Sequence, residues 1–191
     1  MKSSLLLITL LLIPSILSAE SISGTINTSK YTKESTIILF LDGVETQHEQ
    51  KQSIEVRINR KNRTFDPKLL TVIKGTTVTF VNEDEFSHSA FSFSETKTFE
   101  FGMENPGSSG SVTFDKTGRV DTFCAIHPQM HAVIFVLPNI YFAQADKNGN
   151  YTIKNVEQGK YTLKIWIEET ETPITLKEVI VNGKDLHLDF N

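Results

Sequence analysis

The segment from Cys124 to Met130 carries side chains that together could bind a transition metal. Cys124, His127 and Met130 follow one another at intervals of three residues, and Cys124 is the only cysteine of the chain. A thiolate, an imidazole nitrogen and a weak thioether are the donors that hold one redox-active copper ion in blue-copper sites. Such a site needs a second imidazole, and His88, which follows a strand-like run, is the best candidate. These residues predict a copper site made of His88, Cys124, His127 and Met130.

His131, directly after Met130, leaves an alternative open. With His88, Cys124 and His127 it would supply one thiolate and three imidazoles, a donor set suited to zinc in a structural site. If the residues that follow form a strand, side-chain alternation turns His131 away from Met130. We therefore expect His131 not to be a ligand, and a zinc-binding structural protein stays the alternative.

The elements that must position these residues are strands. After residue 19, short β-branched and aromatic runs alternate with Gly-, Asn- and Pro-containing turn signals, a pattern typical of an all-β sandwich or barrel. Cys124 closes one such run, and Pro128 stiffens the loop that follows it. The predicted strands cover residues 22–26, 36–41, 54–58, 69–73, 77–81, 99–101, 111–114, 120–124, 132–137, 151–153, 161–167 and 176–181.

The beginning of the chain has the features of a secretory signal peptide. Lys2 precedes an apolar run over residues 5–13 that is too short to span a bilayer, and small residues suggest cleavage near Ala19. No second long apolar stretch follows, so we expect a periplasmic or secreted protein without a membrane anchor after cleavage. The net charge of the 191-residue chain is −4 and becomes more negative without Lys2, which argues against a nucleic-acid partner.

The proposed ligands all lie in one part of the chain, residues 52–137. Residues 20–48 and 138–191 contain none of them and read as further strands. We therefore predict a discontinuous β-domain, residues 20–48 and 138–191, into which a metal-binding domain of residues 52–137 is inserted. The wholly polar segment 45–52 fits a linker between them.

The strand sequences around the site resemble those of plastocyanin-like cupredoxins. Residues 65–72, 74–82 and 118–124 read FDPKLLTV, KGTTVTFVN and GRVDTFC, and the ligand loop that follows has amicyanin-type spacing. The resemblance implies a Greek-key cupredoxin sandwich over residues 52–137 and one type 1 copper. It implies that His88, Cys124 and His127 are the equatorial ligands and that Met130 is the axial ligand. It also implies that Ser89 bonds across to the cysteine loop.

The flanking segments resemble a different sandwich. Residues 142–156 and 158–166 resemble the carboxypeptidase-regulatory-like, transthyretin-type β-domain. The whole chain thus resembles secreted methylamine-utilisation-type cupredoxins. The expected fold class is all-β, a cupredoxin sandwich inserted into a transthyretin-like (carboxypeptidase-regulatory-like) sandwich.

A site of this kind would serve one-electron transfer, and we expect a carrier between redox partners, such as a cytochrome or a dehydrogenase. We expect no enzyme, because a copper oxidase needs His-x-His pairs and a reductase a second histidine-only site, and the five histidines form no such pair. A copper-handling protein without a carrier role is the alternative. An apolar docking patch beside His127 is predicted from Ala125, Ile126, Pro128 and Met130.

Two further groups of residues near His88 in the sequence, one acidic and one aromatic, lead to predictions. Glu83, Asp84 and Glu85 fit a solvated turn whose negative charge could steer a basic partner. Phe86, Phe91 and Phe93 could shield the metal, and we expect at least two of them to lie in the core.

Overall fold

The computed structural model describes residues 20–29, 31–32, 35–43 and 55–191. The predicted signal peptide (residues 1–19) and the predicted linker (residues 45–52), which includes His48, lie outside the described residues. Every regular element in the described part is a β-strand, which confirms the all-β prediction. In that part of the chain, no helix has the length and apolar character needed to traverse a lipid bilayer.

The described residues form sixteen strands. In chain order they are β1 Glu20–Thr25, β2 Ile37–Asp42, β3 Val56–Lys61, β4 Thr64–Asp66, β5 Leu69–Ile73, β6 Thr76–Asn82, β7 His88–Ser94, β8 Lys97–Glu104, β9 Ser109–Phe114, β10 Gly118–Phe123, β11 His131–Leu137, β12 Phe142–Gln144, β13 Asn150–Val156, β14 Gly159–Ile167, β15 Ile174–Val181 and β16 Leu186–His187.

The strands form four sheets that separate along the chain. Strands β3 to β11 form two sheets, in the orders β4-β3-β6-β9 and β5-β11-β10-β7-β8. Strands β1 and β2 pair instead with the last strands of the chain, in the orders β13-β1-β16 and β12-β2-β14-β15. This pairing supports an insertion. The exact boundaries stay predictions, since residues 44–54 lie outside the described part.

The four sheets enclose three apolar cores. One core lies inside each sheet pair, and the third lies between the two pairs. In this third core, side chains of β2 and β14 meet side chains of β11, and the Phe135 ring stacks on Trp166 with centroids 4.0 Å apart and an interplanar angle of 8°. Strands β2 and β11 are therefore buried on both faces, which explains why each is a continuous apolar run.

Strand β7, which carries His88, was not predicted from the sequence. Its side chains alternate in the reverse of the usual pattern: Ala90 and Ser92 are fully buried, whereas Phe93 is 74% exposed. Small residues lie inside and aromatic residues outside, so the hydrophobic period that identifies a half-buried strand points to the wrong face. The prediction thus missed a strand whose inner face is made of Ala and Ser.

The expectation that at least two of Phe86, Phe91 and Phe93 lie in the core is wrong. Phe86 and Phe93 are exposed, and Phe91 is partly buried. Phe91 contacts Phe93 and Phe123 on the outer face of the sheet, with ring centroids 5.3 Å and 6.0 Å apart. These aromatic rings contact one another at the surface because strand parity turns them away from the core.

Candidate metal centre

Three neighbouring strands bring the predicted ligands together. His88 is the first residue of β7, and Cys124 directly follows β10. Strands β10 and β11 form an antiparallel pair whose last partners are Phe123 and His131, so residues 124–130 are the loop between them. Strand β7 pairs with β10 at Phe91 and Phe123. The start of β7 therefore lies beside the loop, and His88 reaches it from a distant part of the chain.

His88, Cys124 and His127 converge on one point. The Nδ1 atoms of the two imidazoles are 3.1 Å apart, and each lies 3.8 Å from the Sγ atom of Cys124. His88 and Cys124 are buried, and His127 is half-buried. Among the residues that the structure describes, these three form the one group of His, Cys, Asp and Glu side chains spaced to hold a metal ion.

Met130, the predicted axial ligand, lies on the inner side of this loop. Its side chain is fully buried and belongs to the same core as Cys124. Its backbone N–H donates to the carbonyl of His127 at 2.9 Å, which closes the loop just before β11 begins. Because Met130 is buried, its inclusion in the surface docking patch was wrong.

The His131 imidazole contacts Asp121 and Phe123 and does not belong to the group of three candidate ligands. Its Nε2 atom lies 2.7 Å from Oδ1 of Asp121, and its ring stacks on Phe123 with centroids 4.8 Å apart. Arg119 makes two further bonds to the same carboxylate, both 2.8 Å long. The hydrogen bond from Arg119, assisted by His131, holds the pKa of Asp121 below its usual range although burial raises it. His131 is exposed next to the buried Met130, as strand alternation predicts.

The surroundings of the Cys124 thiol lower its pKa. Burial raises its pKa, but the interactions of the sulfur with the backbone of Ser89 and Ile126 and with the two imidazoles outweigh burial. The net effect lowers the pKa from 9.0 to about 6. At neutral pH the sulfur is therefore mainly a thiolate, which is the form that binds metals.

Ser89 connects β7 to the ligand loop, as the resemblance implied. Its hydroxyl oxygen accepts a hydrogen bond from the backbone N–H of Ala125 at 2.8 Å and lies 3.8 Å from the Cys124 sulfur. This bond fixes the two ligand-bearing segments relative to each other.

Phe86 and Asp84 complete the surroundings of the imidazoles. The Phe86 ring lies against both, with centroids 5.2 Å from His88 and 5.5 Å from His127. Asp84 contacts Nε2 of His88 at 2.8 Å, and its side chain is only 8% exposed. The sequence analysis placed Asp84 in a solvated turn and so missed this contact. The only signal was a carboxylate four residues before the histidine.

The donor set fits copper. Two imidazole nitrogens and a thiolate with a thioether on the same loop match the ligands of blue-copper sites. Burial of His88 and Cys124 agrees with a site from which water is excluded. The alternative set of one thiolate and three imidazoles is not supported, because the His131 imidazole bonds to Asp121.

Comparison with known proteins gives the class of this chain. Residues 35–136, slightly more than half of the chain, match the family model of the cupredoxin-like domain, and the chain belongs to that family. Family membership and the His-Cys-His cluster together support a copper protein. Residues 139–185 match a different family model, domain II of polysaccharide lyase family 4. The expected resemblance of the flanking segments to a carboxypeptidase-regulatory-like domain is not confirmed. The comparison with curated proteins gave no match.

Solved structures with partial similarity include a copper enzyme, an amicyanin and a further cupredoxin. A copper-containing nitrite reductase (NirK) from Thermus scotoductus SA-01 is 28% identical over 51% of this chain, with a TM-score of 0.44, and the match spans only 26% of that enzyme. A point mutant of amicyanin in its oxidised state is 22% identical over 44% of this chain and 82% of its own, with a TM-score of 0.41. A purple cupredoxin from Nitrosopumilus maritimus is 23% identical over 44% of this chain and 100% of its own, with a TM-score of 0.40. At such scores these similarities do not establish a shared activity.

Proposed function

We propose that this protein is a type 1 copper protein that carries single electrons between redox partners in the periplasm or outside the cell. One copper ion would be held by the imidazoles of His88 and His127, the thiolate of Cys124 and the thioether of Met130. The observation that carries the proposal is the convergence of three donor atoms: the two Nδ1 atoms lie 3.1 Å apart, and each lies 3.8 Å from the Cys124 sulfur.

Bound copper would supply a centre that gains and loses one electron. The role of the chain is to hold the ligands in one arrangement for both oxidation states. The hydrogen bond between Ser89 and Ala125 fixes the loop against β7, and the Met130 N–H to His127 carbonyl bond fixes the loop internally. Because both ends of the loop continue into paired strands, the ligands have little freedom to rearrange.

The surface beside His127 suits a redox partner. Ala125, Ile126 and Pro128 are exposed around the half-buried His127, and Ile126 is 45% exposed. The exposed ring of Phe86 contacts the same imidazole, with ring centroids 5.5 Å apart. Small apolar patches suit the weak, brief encounters of electron-transfer partners. We propose that a cytochrome or a dehydrogenase docks here, and that no nucleic acid does.

Location and enzymatic activity are part of the same proposal. The signal-like residues 1–19 support export. The sequence holds no histidine pair for a second copper site, which favours a carrier over a reductase. A nitrite reduction assay with the copper-loaded protein should therefore show no turnover, and turnover would contradict the carrier assignment.

The deciding experiment is visible absorption and EPR spectroscopy of the copper-reconstituted protein. We expect one copper per chain, strong thiolate-to-copper absorption and a narrow copper hyperfine splitting. Cys124→Ser should abolish the visible band, whereas Thr122→Ser, a buried control two residues earlier, should keep it. A colourless protein that retains zinc would overturn the proposal. Ready loss of copper to a chelator, without electron exchange with a cytochrome, would instead indicate a copper-handling protein.

A further inference from the structure

The carboxylate of Asp84 is held from three directions. Its Oδ1 atom accepts a hydrogen bond from the backbone N–H of Asn62 at 2.7 Å, and Oδ2 accepts one from the N–H of Arg63 at 3.0 Å. Oδ2 also lies 2.8 Å from Nε2 of His88. With two backbone donors already directed at it, the carboxylate faces His88 as an acceptor.

The two donors belong to a rigid turn. Asn62 and Arg63 are the two residues between β3 and β4, and their φ angles are 54° and 55°. Positive φ at both central positions is typical of a type I′ hairpin turn, in which Lys61 and Thr64 are the flanking pair. Both N–H groups of this turn point at one side chain. The position of the Asp84 carboxylate is thus set by a hairpin that contains no ligand.

The backbone of Asp84 is fixed as well. The Asn82 side chain accepts a hydrogen bond from the Asp84 N–H at 3.1 Å. It also donates to the carbonyls of Phe86 and Glu104, at 2.9 Å and 3.2 Å. Asn82 is buried, so this arrangement ties the segment before His88 to the neighbouring strand β8. The carboxylate therefore cannot drift away from the imidazole without breaking several bonds.

The contact with His88 has a chemical consequence. A neutral imidazole carries its proton on one nitrogen only, and the bond made by one nitrogen decides which. When Nε2 donates to Asp84, the proton stays there and the lone pair remains on Nδ1. That Nδ1 atom is the one that faces Nδ1 of His127 at 3.1 Å and the Cys124 sulfur at 3.8 Å.

We propose that Asp84 is a positioning residue that locks the His88 imidazole in the orientation and tautomer with Nδ1 free for the metal. Its effect on copper rests on the proposed function, whereas the tautomer is a property of the metal-free protein. Carboxylate partners of metal-bound histidines fix the ring and raise its basicity, and their loss costs about 10- to 100-fold in metal affinity.

Three variants test this role. Asp84→Ala removes the acceptor. Asp84→Asn keeps the shape and one acceptor oxygen, but its NH2 group would face the N–H of either Asn62 or Arg63, which both donate to the carboxylate in the wild type. Glu85→Gln is the matched control, because it removes one negative charge at the next, exposed position without touching His88.

The first measurement is nitrogen-15 NMR of the imidazoles in the metal-free protein. In the wild type and in Glu85→Gln, we expect His88 to carry its proton on Nε2. In Asp84→Ala the two tautomers should mix, and copper affinity should fall by about 10- to 100-fold. Asp84→Asn should lie between them. The reduction potential should rise more in Asp84→Asn than in Glu85→Gln, because the lost carboxylate contacts the ligand directly.

The outcomes separate this inference from the proposed function. Wild-type tautomer and affinity in both Asp84 variants would overturn the positioning role, and so would an equal effect of Glu85→Gln. If Asp84→Ala does not fold, Asp84→Asn decides alone, because it preserves the side-chain shape. A changed tautomer in a protein that binds no copper even in its wild-type form would support the positioning role and refute the copper proposal.

Discussion

The Ser89 hydroxyl accepts a hydrogen bond from the backbone N–H of Ala125 at 2.8 Å, although the two residues are 36 positions apart. Each is the immediate neighbour of a predicted ligand, since Ser89 follows His88 and Ala125 follows Cys124. The bond therefore joins the two segments that carry the predicted ligands His88 and Cys124.

Replacing Ser89 by Ala should loosen this connection. The Ala125 N–H would lose its partner, and we expect the metal-free protein to lose about 1 kcal/mol of unfolding free energy. Urea denaturation followed by circular dichroism measures the change. Ser87→Ala is the control, because the Ser87 hydroxyl makes only an exposed 3.3 Å bond to Asn105. Equal stabilities of the two variants would show that the Ser89 bond contributes nothing.

The Cys124 thiol gives a pH prediction. Its pKa in the fold is about 6, lowered from 9.0. Because the folded state has the lower pKa, the thiolate stabilises the metal-free fold at high pH, and this contribution is lost as the pH falls from about 9 to about 6. The ultraviolet absorbance of the Cys124 thiolate should increase with pH, with a midpoint at a pH of about 6. Cys124→Ser should lack both the absorbance change and this part of the pH dependence of stability. A midpoint above about 8, near that of an ordinary thiol, would contradict the prediction.

The ligand loop could be predicted from the sequence because it is local. Cys124, His127 and Met130 lie within seven residues, in a connection between two strands whose pattern is readable. His88 could be chosen by residue type, but its distance from Cys124 depends on β7, and the pattern of that strand is inverted. Asp84 could not be found, because a carboxylate between two other acidic residues gives the same signal as a solvated turn.

The way in which the four sheets stack could not be predicted from the sequence either. The apolar runs of β2 and β11 indicate strands buried on both faces, but they do not say which element covers each face. The contact between Phe135 and Trp166 joins residues from two different sheet pairs. The sequence contains many apolar residues that could form such a contact, and the Phe135–Trp166 pair is identified only in the folded structure.

His131→Gln tests the ligand assignment. We expect the variant to bind copper with the wild-type visible spectrum, because His131 bonds to Asp121 and stacks on Phe123. Stability should fall slightly, since the contact with Asp121 is partly exposed. His127→Gln is the matched comparison and should lose the blue spectrum. If His131→Gln loses the metal whereas Met130→Leu retains it, the result would support the alternative, a zinc site in which His131 is a ligand.

Phe135→Ala tests whether the two sheet pairs unfold together. Phe135 lies in β11, the strand that follows the ligand loop, and it fills the core between the pairs against Phe40 and Trp166. Truncating a buried Phe costs about 3–5 kcal/mol. Trp166 is the only tryptophan of the chain, so its fluorescence reports on the surroundings of this one side chain in β14. In the wild type, we expect Trp166 fluorescence and the copper absorption to change in one transition.

In Phe135→Ala the two signals should separate, because the apolar contact that couples the pairs is lost while each pair keeps its own core. Phe93→Ala removes the same atoms from an exposed position and should change stability by less than about 0.5 kcal/mol. If the signals remain coincident in Phe135→Ala, coupling must come from another contact. The bond from Arg119 to the Glu168 carbonyl, 2.5 Å long, is then the next connection to remove, by Arg119→Met.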